Sequence, residues 1–289
     1  MLMNMTELLS VANEHNFAVP AFNIGTGQML KAVIECCEEK KAPVILAIHP
    51  LELEFQGDSF MASCVKAAHE AKVPVCIHLD HGTTMPQIYR ALRNGFTSVM
   101  IDASSKSFEE NIEISKKVVE IAHPLNVSVE AELGTIGTTG NDAEGGSEQI
   151  IYTNPDDAVK FVQETGIDCL AVAIGTAHGI YPKGFKPELK MDLLSEIKSK
   201  ITVPIVLHGG SANPDAEIAE SVKRGVNKIN ISSDTKDAMY QHLRTVLAAD
   251  KKIREPFELY VESIKVMKEV VYQKIDLFED ADKVKYYSL

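Results

Sequence analysis

Residues 74–84 read PVCIHLDHGTT: an apolar, β-prone run that ends on Asp80 and His81 and then turns through Gly82-Thr83-Thr84. Three ionisable side chains, His78, Asp80 and His81, fall within four positions of it. Buried strands carry such groups only when they are paired or hold a metal. The same design recurs along the chain. FAVPAFN (17–23), PVILAI (43–48), SVMID (98–102), SVEAE (128–132), CLAVAIG (169–175), PIVLHG (204–209) and KINI (228–231) complete a set of eight strand candidates. Helical patterns lie between them. In QMLKAVIECCEEK, Leu30, Val33, Ile34 and Cys37 recur at helical spacing, with the charged residues on the other face.

Strand–helix alternation implies a parallel sheet, and eight units imply a (β/α)8 TIM barrel, a closed α/β fold. An open doubly wound sheet is the competitor, but no GxGxxG stands at a first strand–helix turn to support it. TNPDDAVKFVQET is expected to start a helix with an Asn cap and Pro155 in the first turn, and NPDAEIAESVKRG to repeat that pattern and end at Gly225. The segment FELYVESIKVMKEVVYQKIDLF reads as an additional C-terminal helix whose stripe of Tyr260, Ile264, Met267 and Val271 covers the barrel or a subunit interface. With no linker-like stretch, residues 1–289 read as a single domain.

Composition narrows the function. A net charge of −12 argues against nucleic acid, which needs a basic footprint. It leaves anionic small molecules open, because backbone N–H groups and one or two Lys can hold a phosphate locally. No run approaches the roughly 18 apolar residues of a membrane span, and the N-terminus lacks the pattern of a signal peptide. Five Cys without CxxC spacing read as free, buried thiols, so the expected location is cytoplasmic.

Barrel chemistry gathers at the C-terminal ends of the strands. Those ends offer Asn23, Asp80 with His81, Asp102, Glu132, His178, His208 and Asn230. Asn and Asp are common turn residues, yet three His, two Asp and one Glu at one mouth exceed punctuation. His81, His178 and His208 suit a zinc site of three imidazoles with one position left open. His78 sits within its strand and reads as structural; His15, His69, His123 and His242 read as solvated. The loops AIGTAHGIYPKG (173–184), VLHGGSANPD (206–215) and NISSDT (230–235) bring small residues, a helix start and Lys183 together, as a phosphate subsite after strands seven and eight would.

Taken together, HLDH, IDAS, SVEAELG, AVAIGTAHG, VLHGGS and KINI resemble the class II, metal-dependent ketose-bisphosphate aldolases, from about Met3 to the C-terminal helix. The resemblance implies a lyase of carbohydrate metabolism that cleaves a phosphorylated ketose to dihydroxyacetone phosphate and an aldehyde. It implies one Zn2+ on His81, His178 and His208, with Asp102 and Glu132 close by and able to hold the ion in an alternative position. Asp80 would be the acid/base at the C4 hydroxyl. Gly179, Lys183, Gly209, Gly210, Ser211, Asn230, Ser232 and Ser233 would form the dihydroxyacetone-phosphate subsite. A mobile-loop acid would be Asp142 or Glu144. A monovalent cation, Na+ or K+, would bind carbonyls near Gly179 and Gly209, and the assembly would be a homodimer or homotetramer. Departures are His49 where a small residue is common, the lack in FNIGTGQ of the Asn that many members place after this strand, Ala212 for Gly and Ser233 for Thr; Lys268 could serve a second phosphate.

Two other chemistries compete for the same residues. A Schiff-base aldolase needs a desolvated strand Lys, and Lys228 is the one strand candidate, with no partner apparent in the sequence. A zinc hydrolase barrel would start with HxH on the first strand, which FAVPAFN lacks. A non-catalytic sugar-phosphate binder is the remaining alternative, against which stand Asp80 and the three His.

Overall fold

Side-chain parity along the strands sorts the molecule into two cores. The structure, a computed structural model, describes residues 1–140, 146–147, 149–182 and 187–288. Its strands are β1 (Val19–Asn23), β2 (Val44–Ile48), β3 (Val75–Gly82), β4 (Ser98–Ile101), β5 (Ser128–Leu133), β6 (Gly137–Thr138), β7 (Cys169–Val172), β8 (Ala177–His178), β9 (Ile205–Leu207) and β10 (Val226–Ile231). Eight of them close a parallel barrel in the order β1-β10-β9-β7-β5-β4-β3-β2. These eight match the eight apolar runs, because strands buried on both faces must be apolar almost throughout. β6 and β8 form a separate two-stranded pair above the barrel.

Outward residues such as Ile77, Leu79, Val129, Ala131, Ile229 and Ile231 pack under the helices in the larger core. Inward residues Val19, Ala21, Ile45, Ala47, Cys76, Cys169, Ala171 and Val206 form the smaller one. That inner core is closed from below by the helix Met5–His15, which buries Met5, Leu8, Leu9 and Ala12. A capping box starts this helix: the Asn4 side chain accepts from Glu7 N and the Glu7 carboxylate accepts from Asn4 N. Each fully buried aliphatic side chain there contributes about 1.5–3 kcal/mol. With the bottom plugged by apolar contact, the polar interior is confined to the upper half.

Helices join the barrel strands as the sequence pattern implies. Asn154 caps the helix Pro155–Thr165 by accepting from Asp156 N and Asp157 N. The helix Asp215–Lys223 starts without a side-chain cap, because Asn213 donates to the carbonyls of Gly209 and Ser211 instead. The C-terminal helix Pro256–Leu277 lies on the helices Gly27–Lys40 and Ser233–Ala249. All five Cys are free and buried. Among the described residues, no helix is long and apolar enough to cross a membrane.

Candidate metal centre and active site

A bulge in β3 builds the centre. Simple alternation sends Asp80 inward and His81 outward. The β3–β4 register instead shifts between Leu79 and Gly82, and His81 takes a left-handed φ of 51°. The shift turns His81 inward beside Asp80, as bulges near active sites do, at a conformational cost of about 1 kcal/mol. Gly82 follows because a Cβ there would stand 2.7 Å from the Met100 carbonyl.

His81, His178 and His208 are all buried and each offers a ring nitrogen within 4.8 Å of the others. Their ring centroids are 4.9 Å apart for His81–His178, 4.6 Å for His81–His208 and 6.1 Å for His178–His208. His81, Asp102 and Glu132 form a second, overlapping trio. The structure thus brings together all five residues singled out as metal ligands.

Two imidazoles are aimed by carboxylates behind them. His81 Nδ1 lies 3.1 Å from Asp102 Oδ2, and Ser104 Oγ donates to Asp102 Oδ1 at 2.7 Å. His208 Nε2 lies 2.7 Å from Glu130 Oε1. The inner nitrogens, His81 Nε2 and His208 Nδ1, then face each other at 2.8 Å. Between two such lone pairs, only a proton or a cation can sit. The donor set therefore fits a nitrogen-seeking metal with carboxylates orienting its ligands.

Charges below the centre are balanced by a group the sequence reading missed. Glu130 is wholly buried, and Lys228 Nζ reaches its two oxygens at 3.0 and 2.9 Å. This ion pair answers the question of Lys228, which is a desolvated strand lysine but is committed to a carboxylate. His78 belongs to the same layer, with Nδ1 2.8 Å from Ser98 Oγ. Burial and then Lys228 push His78 down to about 3, and burial and then His81 push His208 down to about 4. Burial opposes the charge on Glu130, but Lys228, His78 and His208 outweigh it and hold the carboxyl below the usual range.

Asp80 sits among donors. Asn23 Nδ2 donates to its Oδ2 and Asn230 Nδ2 to its Oδ1, each at 2.8 Å. Burial alone would raise its pKa, but His81, His208 and Lys228 overcome this and hold it well below the carboxylate range. Asp80 is a fixed carboxylate, oriented by two amides. The opposite ends of those amides, Asn23 Oδ1 and Asn230 Oδ1, are buried without a hydrogen-bond partner. Buried acceptors of this kind ordinarily have a partner, so each retains unused hydrogen-bonding capacity beside Asp80. Burial and then Asp102 raise Glu132 to about 8. A cavity of about 450 Å3 opens here, with His81, Asp102, Glu132 and His178 on its inner wall and Ser104, Lys106, Thr135 and Ser147 further out.

The glycine loops lie across the mouth from that cavity. Gly209 has φ 61°, and a Cβ on it would stand 2.7 Å from the Ala177 carbonyl, so the loop after β9 can lie flush against β8 only with glycine there. Ser211 Oγ accepts from Ser232 N at 3.2 Å and from Asp234 N at 3.3 Å, which binds this loop to the N-terminus of the helix Ser233–Ala249. Gly179, Gly209, Gly210, Ser211, Ser232 and Ser233 are therefore on neighbouring loops. Asn230, at the end of β10, braces Asp80 through its amide.

Lys183, Asp142 and Glu144 lie outside the described residues. Lys268 is not at the mouth; it pairs with Glu35 at 2.8 Å and Glu39 at 3.7 Å on the outer helices. His49 ends β2 as the cap of the helix Pro50–Glu70, its Nδ1 accepting from Leu51 N. Of the four histidines read as solvated, His69 and His123 are exposed, His123 also pairing with Asp168, while His15, stacked on Tyr286, and His242, against Ser263, are half-buried. Glu130 could have been found from the sequence, since it shares the inward parity of Glu132 in SVEAE.

Fold and site together define a (β/α)8 barrel with a buried metal-type centre beside a cluster of glycine- and serine-bearing loops. Residues 3–283 match the family model "Fructose-bisphosphate aldolase class-II". The chain is 39% identical over 286 residues to a protein of Bacillus subtilis strain 168 named a probable fructose-bisphosphate aldolase, covering 98% of this chain and 99% of that one. It is 38% identical over 288 residues to fructose-bisphosphate aldolase of Staphylococcus aureus strain Mu50, at 98% and 99% coverage. Among solved structures, the YdjI aldolase of Escherichia coli K12 superposes with a TM-score of 0.83 at 34% identity, covering 98% of this chain and all of that one. The chain belongs to the class II fructose-bisphosphate aldolase family, and its enzyme class is carbon–carbon lyase.

Proposed function

We propose that the chain catalyses zinc-dependent, reversible aldol cleavage of a phosphorylated ketose to dihydroxyacetone phosphate and an aldehyde, which is glyceraldehyde 3-phosphate if the substrate is fructose or tagatose 1,6-bisphosphate. The observation that carries this reading is the juxtaposition of three converging imidazoles with one amide-braced carboxylate, Asp80. His81, His178 and His208 would hold the ion, with Asp102 and Glu132 beside it. When bound, Zn2+ supplies Lewis acidity that spreads the negative charge developing as the C3–C4 bond breaks. Asp80 accepts the C4 hydroxyl proton during cleavage and returns it during condensation. Asn23 and Asn230 hold that carboxylate in place, and their free carbonyl oxygens accept from substrate hydroxyls. The Gly209–Ser211 and Ser232–Ser233 loops, with Lys183 and Gly179, grip the phosphate and align the chain for cleavage. Asp142 or Glu144 handles the proton at C3, a Na+ or K+ ion sits near the Gly179 and Gly209 carbonyls, and the working form is a cytoplasmic homodimer or homotetramer.

A ketose 1-phosphate without a second phosphate is the alternative substrate. Supporting it, Lys268 is engaged by Glu35 and Glu39. Cleavage of a panel of ketose 1-phosphates and 1,6-bisphosphates, read as dihydroxyacetone phosphate released, chooses between them. Chelation should abolish cleavage and added Zn2+ restore it. Asp80→Asn should lower kcat by about 10²–10⁴-fold while the metal content stays unchanged. Cleavage that survives complete metal removal would refute the reading.

A further inference from the structure

Lys274 is out of place by the logic of its own helix. The inner face of the helix Pro256–Leu277 buries Met267, Val271 and Ile275, and Lys274 shares that face at 5% exposure. Lysine is almost never so buried unless paired. Its partner is Asp234: Nζ lies 2.7 Å from Oδ2. The other oxygen, Asp234 Oδ1, accepts from Ala212 N at 3.0 Å, and Asp234 N donates to Ser211 Oγ. One carboxylate thus connects the C-terminal helix to both loops of the phosphate cradle.

The position of Asp234 makes this more than a fastening. It lies in the first turn of the helix Ser233–Ala249, whose N-terminus meets the Ser211 loop where Ser232 N and Asp234 N donate to Ser211 Oγ. An acid in a first turn is ordinarily favourable. Here the same helix end must receive a phosphate dianion, and an uncompensated carboxylate would repel it. Lys274 cancels that charge from behind while leaving Asp234 free to hold Ala212. Ala212 needs holding, because it keeps a left-handed φ of 58° without being glycine. The pair itself helps to wall a cavity of about 300 Å3, together with Ile180, Asp237 and Gln273.

We propose that Lys274 and Asp234 are positioning residues for the phosphate end of the substrate, the aspartate shaping the Ser211–Ala212 loop and the lysine neutralising it so that the adjoining helix N-terminus accepts an anion. This rests on the reading of these loops as the phosphate cradle.

The test uses zinc-loaded enzyme, with metal content verified for each variant and inorganic phosphate as the probe. Lys274→Met should raise both KM for the phosphorylated ketose and the competitive inhibition constant of phosphate by about 10- to 100-fold, with a much smaller change in kcat. Lys274→Arg should restore most of the loss. The double variant Lys274→Met/Asp234→Asn should bind phosphate better than Lys274→Met alone, because removing both charges removes the repulsion. A fastening role predicts the reverse: a lowered melting temperature, unchanged phosphate binding and a double variant no better than the single. Either unchanged phosphate binding in Lys274→Met or no recovery in the double variant overturns the proposal. If Lys274→Met does not yield soluble enzyme, Lys274→Gln carries the same comparison. Wild-type enzyme insensitive to phosphate would overturn the cradle as well; a phosphate-binding wild type with an equally competent Lys274→Met variant overturns only the positioning role.

Discussion

Removing the metal is expected to change how stability responds to pH. Burial works against a charge on His81, but Asp80 and then Asp102 outweigh it and hold the imidazole near 10. Burial and then Asp102 hold Glu132 near 8. Both folded-state values exceed those of an unfolded chain, about 6.5 for His and 4.3 for Glu. The metal-free fold therefore binds more protons than the unfolded chain from about pH 4.5 to 8 through Glu132, and from about pH 6.5 to 10 through His81. Stability contributed by each proton is full below the unfolded value and is lost as pH rises through the folded one. His78 and His208 act the other way: the fold keeps them neutral down to about 3 and about 4, so below about pH 6.5 the unfolded chain takes up two protons that the fold refuses. At about 1.4 kcal/mol per unit, the combined loss through Glu132 and His81 between pH 6.5 and 9 is on the order of 5 kcal/mol. For a chain of this size that corresponds to roughly 10–20 °C in melting temperature. Below about pH 6.5 His78 and His208 oppose the decline, and at the acid end Asp80, Asp102 and Glu130, held as carboxylates by the fold, add to that opposite slope. Zinc displaces the two protons, so the loaded enzyme should lack this part of the decline. The logarithm of its apparent zinc affinity should climb by about two per pH unit between about pH 6.5 and 8 and about one above it. Differential scanning calorimetry of chelated and zinc-loaded protein from pH 6.5 to 9, with chelator competition for the affinity, reads both. A metal-free melting temperature that is flat or rises with pH over that window would refute the reasoning.

Three further outcomes follow from single contacts. Glu130→Gln keeps the shape behind His208 but leaves Lys228 buried without its counter-charge, so zinc affinity measured by chelator competition should fall by about 10- to 100-fold; an unchanged affinity would show that His208 needs no anchor. Ala212→Gly relieves the left-handed φ of 58° and should stabilise the fold by about 0.5–1 kcal/mol in denaturant titration, net of the entropy glycine adds to the unfolded chain. Asp280 is fully buried with both carboxylate oxygens lacking a hydrogen-bond partner, and burial raises its pKa well above normal. The cost of ionising it appears as pH rises, so Asp280→Asn should raise the melting temperature progressively between pH 5 and 9. A constant offset across that range would show that Asp280 does not titrate.

The sequence exposed the barrel because closure imposes the same constraint on every strand. A strand covered by helices outside and packed against the others inside must be apolar on both faces until it reaches the mouth, where polar residues become affordable. That is why eight runs and their terminal Asp, Glu, Asn and His residues stand out. What escaped depended on geometry that periodicity does not encode. The bulge at Asp80–His81 breaks alternation, so strict period 2 would have placed His81 among the outer helices. β6 and β8 have two residues each, too few to leave a pattern. The helix Met5–His15 does leave one, in its Asn4–Glu7 capping box and its Met5, Leu8, Leu9, Ala12 spacing, although no strand run precedes it to set the alternation. Glu130 and Lys228 lie 98 positions apart, so only the closed sheet shows that each completes the other.

The interior charge layer also bears on how the enzyme can assemble before it acquires metal. Without the ion, Asp80, Asp102 and Glu130 are carboxylates, Lys228 and protonated His81 oppose them, and Glu132 keeps its proton. The layer then carries a single net negative charge. Exchanging the His81 and Glu132 protons for a divalent cation leaves that charge unchanged. A cluster of bare carboxylates without such protons would repel itself and need the metal to fold, as small zinc domains do. Here the protons occupy the role of the cation at the same atoms, and the surrounding orienting bonds from Asp102, Glu130, Asn23 and Asn230 are already made. On the zinc-dependent function proposed above, metal uptake would be a local exchange within a preformed barrel, and its energetics should register in proton release and scarcely in secondary structure.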